Sequence, residues 1–473
     1  MSDTRIYSTP VRYPDEMGRR DDRSVGRRRY LELGLAAGVT TLAGCALDLD
    51  RDASAGGERG TTSDRTERST VPRTTSARPA ADPSGETDAP AETDAPAETT
   101  AEPERPGGAR TFFVAPDGDD DARGTRERPF ATVQEAMSRA TAGDVVSLAP
   151  GEYRQAVFSV RSGEPGQPIT IEGPASAVLR HPEGAFSTIT IKHSHVHVRG
   201  LTIDGLGRPD RPDEVESYAP GPLISCRPRD DQQTYLRDLK LLPSALGNGQ
   251  SVLIRLIRCS DVEIGEFRLS GMAGANLVVG DEIDHVAEVL YVGTGFNQLD
   301  ESWYPWDSWD RTNNVHVHHI DNSEGHVHGD FVAFEPGTYA CLAEYCTDRN
   351  AGHSTDGSHG PSFVHGGRQN TVRYCDVADS PSGVAFDGNE TFASYGNNCY
   401  HNRIAGIDNY AMAFVEEAPP ARQGVICGNE VDGEVGFFNR PGRDPEVDVG
   451  AACPVDVPPG DGIGHTGGDG PWS

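Results

Sequence analysis

Four stretches of this chain decide how it folds: Ala333-Phe334-Glu335-Pro336-Gly337, Ser362-Phe363-Val364-His365-Gly366, Ala385-Phe386-Asp387-Gly388-Asn389 and Ala413-Phe414-Val415-Glu416-Glu417. Their phenylalanines are 29, 23 and 28 residues apart (363−334, 386−363, 414−386). A second column, Cys346, Cys375, Asn402 and Asn429, advances by 29, 27 and 27 (375−346, 402−375, 429−402). Steps of this size suit one coil of a solenoid whose strands pair with the coils above and below. A propeller blade needs about 40 residues or more, so that architecture does not fit. Stacked coils place like residues in files. Phe334, Phe363, Phe386 and Phe414 are therefore predicted to form one interior file. The asparagines are predicted to form a hydrogen-bond ladder at a tight turn. The cysteines in that column read as small buried thiols, in a geometry that also permits a disulfide.

Upstream, short β-rich runs alternate apolar and polar residues between Gly, Asn, Asp and Ser. They are Ile169 to Glu172, Ile189 to Ile191, Val196 to Ile203, Tyr235 to Leu241, Val262 to Leu269, Val286 to Val292 and Val315 to Ile320. Before them come Phe112-Phe113-Val114-Ala115-Pro116-Asp117-Gly118, Gly124-Thr125, Pro129-Phe130-Ala131-Thr132, Gly143-Asp144-Val145-Val146 and Pro150-Gly151-Glu152-Tyr153. Val133 to Ala140 reads as a short helix with Thr132 as N-cap. This order, over roughly residues 111 to 153, resembles the opening segment of pectate-lyase-like β-helix proteins, of the DUF1565 type. The resemblance implies an all-β, single-stranded right-handed parallel β-helix. Its short helix would cap an end that otherwise exposes unpaired strand edges.

The flanks differ in kind. Arg27-Arg28-Arg29-Tyr30-Leu31 precede a modest apolar run from Leu33 to Ala43, and Leu42-Ala43-Gly44-Cys45 closes it. The first pattern resembles a twin-arginine export signal and the second a lipobox that makes Cys45 the lipidated residue. Residues 1–45 are thus predicted to be a lipoprotein signal. Residues 46–110 are rich in Thr, Ala, Pro, Glu, Asp and Arg, and the run Glu86-Thr87-Asp88-Ala89-Pro90-Ala91 repeats at once from Glu92. Such a segment lacks the apolar surface to offset its ordering entropy and is predicted to be a disordered tether. The β-helix is expected over 111–440, and a loose Gly-, Pro- and Asp-rich tail over 441–473. The protein is then expected on the cell surface, held to the outer face of the cytoplasmic membrane by the lipid alone.

The 473 residues carry 73 acidic and 42 basic side chains, a formal net charge of −31. Only Lys192 and Lys240 are lysines. So acidic a surface repels nucleic acid and anionic lipid and excludes partners bound by bare negative charge. The balance resembles that of proteins from salt-adapted archaea. A monomer with a polysaccharide partner is expected. Cys226, Cys259, Cys341, Cys346, Cys375, Cys399, Cys427 and Cys453 show no CxxC spacing, so no zinc ribbon is indicated.

Histidines concentrate: His316, His318, His319, His326, His328, His353, His359 and His365 lie within 50 residues. Gly325-His326 and Gly352-His353 are one coil apart (353−326 = 27). Three readings stay open. The pairs can form a turn ladder bonded to backbone. They can belong to a carbohydrate site in which His326, His353, His365, Arg368, Asp356, Glu335 and Asp387 move protons and neutralise charge. Or His326, His328, His353 and Asp330 can hold a divalent metal. Asp117, Asp119, Asp120 and Asp121 offer oxygen ligands for calcium, although their place in the opening turn favours a structural role. Trp303, Trp306 and Trp309 share one loop, which either stacks on sugar rings or folds onto the helix flank. The expected function is polysaccharide binding, with lyase or glycosidase activity as the enzymatic form. The alternative is a non-catalytic envelope or adhesion protein.

Overall fold

The computed structural model describes residues 108–206, 221–249, 251–273, 277–279, 282–284, 288–295, 304–306, 308–327, 329–349, 351, 360–388, 394–455 and 457. Its strands are short because each crosses one side of a coil. Triplets such as Ile189–Ile191, Ile224–Cys226, Ile254–Leu256, Leu290–Val292 and Val332–Phe334 read apolar–variable–apolar. Strand alternation turns the first and third residues inward and the middle one outward. These triplets pair in parallel, coil on coil, in a ten-stranded sheet running from Val157–Phe158 to Glu434–Phe437. We call it the third sheet.

The first sheet runs from Thr111–Val114 to Ile426–Cys427, and the second from Gly151–Arg154 to Glu430–Val431. Two long strands, Cys259–Leu269 and Asn313–Asn322, bend from the first into the second and join them as one 19-stranded sheet. All three sheets are parallel and wrap one continuous apolar core, so the chain is a parallel β-helix. Parallel crossovers of this kind take the right hand. Among the described residues no helix is long and apolar enough to cross a membrane.

The predicted helix forms over Val133–Arg139, and the Thr132 hydroxyl accepts from the Glu135 N–H at 3.1 Å. It covers the open end of the rod with Val133, Ala136 and Met137, all buried. Asp120 accepts from the backbone of Ala131 and Thr132 at 3.0 and 2.8 Å, so this member of the acidic run ties the opening turn together.

The corner between the first and second sheets is built from one left-handed residue per coil. Glu266, His319, Tyr345, Tyr374 and His401 all have φ between 49° and 57°. A non-glycine residue in that region costs about 1–2 kcal/mol. The predicted ladder lies beside it and helps hold the bend. Asn402 Oδ1 accepts from the Cys375 N–H at 2.9 Å, and Asn429 Oδ1 from the Asn402 N–H at 3.1 Å. A second ladder, not foreseen, runs down another corner. Asn370 Oδ1 accepts from Cys341 N–H at 3.0 Å and Asn397 Oδ1 from Asn370 N–H at 2.9 Å.

The phenylalanine file needs one correction. Phe334, Phe386, Phe414 and Phe437 do stack in register, but the place between Phe334 and Phe386 belongs to His365. Phe363 sits two residues earlier, opposite Val332 and Val384, in the neighbouring interior file. Both positions face the core, so hydrophobicity alone does not choose between them.

Cys346 and Cys375 are buried free thiols, while Cys427 and Cys453 form a disulfide. The described part of the tail, expected to be loose, forms no helix or strand, yet it is pinned. Gly428 N–H donates to Ala451 O at 2.7 Å, Asn429 Nδ2 donates to Val449 O at 3.1 Å, and the disulfide lies alongside.

Candidate functional site

Connections around the coil are uneven, and that unevenness locates the site. From the first sheet to the second they stay short: Glu344 to Thr347, Arg373 to Asp376, Tyr400 to Arg403. Long ones lead into the third sheet, Asp204 to Ile224, Leu269 to Leu290 and Arg349 to Phe363, or out of it, Val292 to Asn313 and Phe386 to Asn398. The outer face of the third sheet therefore lies between two rows of insertions. A rigid floor flanked by long loops is where function gathers.

The floor is the column of outward residues Thr190, Ser225, Arg255, Tyr291, Ala333, Val364 and Ala385, paired in register. Arg255 carries its guanidinium 5.2 Å from the centre of the Tyr291 ring, a cation–π contact. Burial pushes the Arg255 guanidinium below its ordinary pKa, and the charges of Tyr291, Glu288, Glu335 and Asp310 draw it back up. The guanidinium and the Glu288 and Glu335 carboxylates thus share one electrostatic environment. Glu288 is itself buried, directly before this coil's strand.

One column over, immediately after the inward residues, come Lys192 and Arg227 in the early coils and Glu335, Gly366 and Asp387 in the later ones. Burial, and then Arg227, lowers the Lys192 pKa. Glu335 and Asp387 are two coils apart, which puts their Cα atoms about 9.6 Å from each other. The glycine between them leaves that stretch of the column without a side chain.

The sequence-derived set divides accordingly. Glu335 and Asp387 fall in one column at the edge of this floor. Asp330 precedes the same strand as Glu335, on the opposite edge. His365 is not on the surface at all. It is fully buried between Phe334 and Phe386, with ring centroids 6.3 and 4.9 Å away. An imidazole sealed in the core cannot meet a substrate, so the proton-transfer role expected for it is withdrawn. Arg368 lies at the corner leading to the first sheet. It stands over the Tyr339 ring at 5.5 Å and donates to the Tyr395 hydroxyl at 3.3 Å. His326 opens a two-residue strand paired with Met272, and its side chain lies outside the described residues. His328, His353, Asp356, Trp303 and Cys45 also lie outside them.

The tryptophan loop folds onto the flank. Trp306 is buried, its Nε1 donates to Gln232 O at 2.7 Å, and Arg227 and Arg258 stand over its ring at 5.2 and 5.3 Å. Trp309 is 44% exposed and remains accessible to a ligand. Among the described residues no group of three or more His, Cys, Asp or Glu is arranged to hold a metal ion.

Sequence reasoning missed Arg255, Tyr291, Glu288, Lys192 and Arg227. The usable signal was the triplet phase. Ile254-Arg255-Leu256 and Leu290-Tyr291-Val292 put a guanidinium and a phenol at the outward place of consecutive coils.

Residues 116–173 match the family described as "Protein of unknown function (DUF1565)". A Bacillus subtilis (strain 168) protein described as Uncharacterized protein YwoF is 33% identical over 105 residues, 20% of this chain and 22% of that protein. The chain thus matches about a fifth of that relative's length. Among solved structures, the alginate lyase from Paenibacillus sp. str. FPU-7 aligns with a TM-score of 0.49 at 15% identity, covering 69% of this chain and 97% of that one. A rhamnogalacturonan lyase aligns with a TM-score of 0.45 at 13% identity, covering 69% and 89%. The fold assignment rests on the strand register of the chain itself, and no residue role is taken from these likenesses.

Proposed function

We propose that the chain is a carbohydrate-active β-helix that takes a polysaccharide along the outer face of the third sheet. One observation carries the reading. The long connections gather at the two edges of this sheet, and its floor presents Arg255 on Tyr291 with Glu288 and Glu335 nearby. A linear polymer matches a straight column of side chains spaced about 4.8 Å apart. Arg255 can neutralise a sugar carboxylate or donate to hydroxyls through a planar fork. Tyr291 is buried beneath that guanidinium and holds it over its ring face. Glu335 and Asp387 supply two carboxyls two coils apart, and paired carboxyls about 5–9.5 Å apart are the usual means of cleaving a glycosidic bond. In the lyase alternative, the same Arg255 would stabilise the charge that develops beside the sugar carboxylate.

The proposed setting is the exported, lipid-anchored one implied by Arg27–Arg29 and Cys45. The Cys427–Cys453 disulfide supports it, since such bonds persist in oxidising compartments. Export is checked by Cys45→Ala, which is expected to move the protein from the membrane fraction to the medium.

The test of function is incubation of the full chain with acidic and neutral polysaccharides, reading unsaturated uronate, new reducing ends and binding. Product or binding that Arg255→Ala reduces at least about tenfold supports the reading. Binding without product on any polymer would favour the envelope or adhesion alternative. Neither binding nor product across the panel overturns the proposal.

A further inference from the structure

On the opposite side of the rod, the outer face of the first sheet carries a row of acids, each set between two bases. Asp238 accepts from His195 Nδ1 at 2.8 Å and His197 Nε2 at 3.2 Å. Glu263 pairs with Lys240 and lies 3.4 Å from His318 Nε2. Glu344 lies 2.8 Å from His316 Nε2 and 2.6 Å from the Arg373 guanidinium. In the last two cases one base comes from the coil below and the other from the coil above, so the acids clamp successive coils together.

One contact in this row is additional to the clamps. His318 and His319 are consecutive residues, and strand alternation should send their side chains to opposite faces. The left-handed bend at His319, with φ at 49°, turns its ring back instead. The two Nδ1 atoms end 3.1 Å apart. Two imidazole nitrogens on one metal, at bond lengths of about 2.0–2.1 Å, are separated by about 2.9 Å in square geometry and about 3.4 Å in tetrahedral geometry. The observed spacing falls between those limits.

We propose that His318 and His319 form a binding site for a divalent transition-metal ion, of the zinc or copper class, at the corner between the first and second sheets. Glu263 is the positioning residue. It faces His318 Nε2 and holds that ring's proton there, which leaves Nδ1 bare. A carboxylate behind a ligating histidine is the usual outer partner in such sites. His319 is held by stacking on the Tyr345 ring at 5.3 Å. Gly265, in register with His318, lets the two coils approach closely, since a Cβ there would collide with the His318 carbonyl oxygen. Water would complete the coordination.

The experiment is calorimetric titration of the full chain with Zn2+ and with Cu2+, with electron paramagnetic resonance of the Cu2+ form to count nitrogen ligands. His319→Asn is the chosen variant because asparagine tolerates the left-handed backbone. Wild-type protein is expected to bind one ion with two ring nitrogens. His319→Asn should weaken that binding at least about tenfold and remove one nitrogen from the spectrum, and Glu263→Gln should weaken it about 10–100-fold. Excess Ca2+, which prefers oxygen ligands, should not compete. Unchanged affinity and spectrum in His319→Asn, or no binding by the wild type, overturns the assignment. Either result leaves the proposal for the third sheet untouched, because the two faces share no residue.

Discussion

Replacing His365 with phenylalanine should stabilise the β-helix, and more so in acid. The imidazole fills a place in the Phe334–Phe386–Phe414–Phe437 file, and both of its ring nitrogens are buried without a hydrogen-bond partner. An unsatisfied buried polar group costs about 1–3 kcal/mol. The larger ring risks overpacking, whose cost is about 1–3 kcal/mol where no space exists. The coils on either side hold phenylalanine at the same register, so the smaller end of that range applies. The net gain expected at pH 7 is about 0–2 kcal/mol. The pH term follows from burial, which lowers the His365 pKa from 6.5 to about 3. Between those values the unfolded chain binds a proton that the folded chain refuses. Stability from the neutral ring is therefore complete above pH 6.5 and is lost as pH falls toward 3. At pH 4 the loss is about 3 kcal/mol, from about 1.36 kcal/mol per pH unit. Solenoids unfold in segments, so the readout is hydrogen exchange of the Phe363–His365 and Val384–Phe386 strands at pH 7 and 4, alongside the denaturation midpoint. The advantage of His365→Phe should widen by about 3 kcal/mol between the two pH values. Parallel pH curves for the two proteins, or a variant less stable at both, would refute the reasoning.

Other expectations concern the ladders and the tail. Asn402→Ala strips partners from the Cys375 N–H and the Val372 carbonyl, and should cost about 2–4 kcal/mol, seen as faster exchange in the coils on either side. Cys427→Ser opens a loop closed across 26 residues, worth about 3.5 kcal/mol of chain entropy, and limited proteolysis should then cut between Pro441 and Cys453. The same variant should leave exchange in the first five coils unchanged, since a solenoid passes stress only to its neighbours.

How much of this was legible in the sequence depended on which corner a residue occupied. Cys346, Cys375, Asn402 and Asn429 could be aligned because the bend between the first two sheets has a constant length, so sequence spacing equals one coil. Spacing misplaces Phe363 because insertions of unequal length precede the strands of the third sheet. Matching phenylalanine to phenylalanine overrides the phase of the triplet and puts His365 on the surface. The site was harder to read for a related reason. Inward positions repeat because the core must be filled, whereas outward ones answer only to the ligand. Arg255 and Tyr291 therefore resemble nothing above or below them. Glu335 and Asp387 were found because each follows a recognisable phenylalanine. The His318–His319 contact was hidden because it depends on a left-handed residue at a position with no glycine to announce it.

The claim that the third sheet bears the functional face is tested most directly by comparing two arginine variants on opposite faces for polysaccharide binding and product release. Arg255→Ala, on the third sheet, should lose at least about tenfold, while Arg373→Ala, paired with Glu344 on the first sheet, should match wild type within about twofold. Loss in Arg373→Ala with full retention in Arg255→Ala would contradict the account and move the ligand to the other side of the rod.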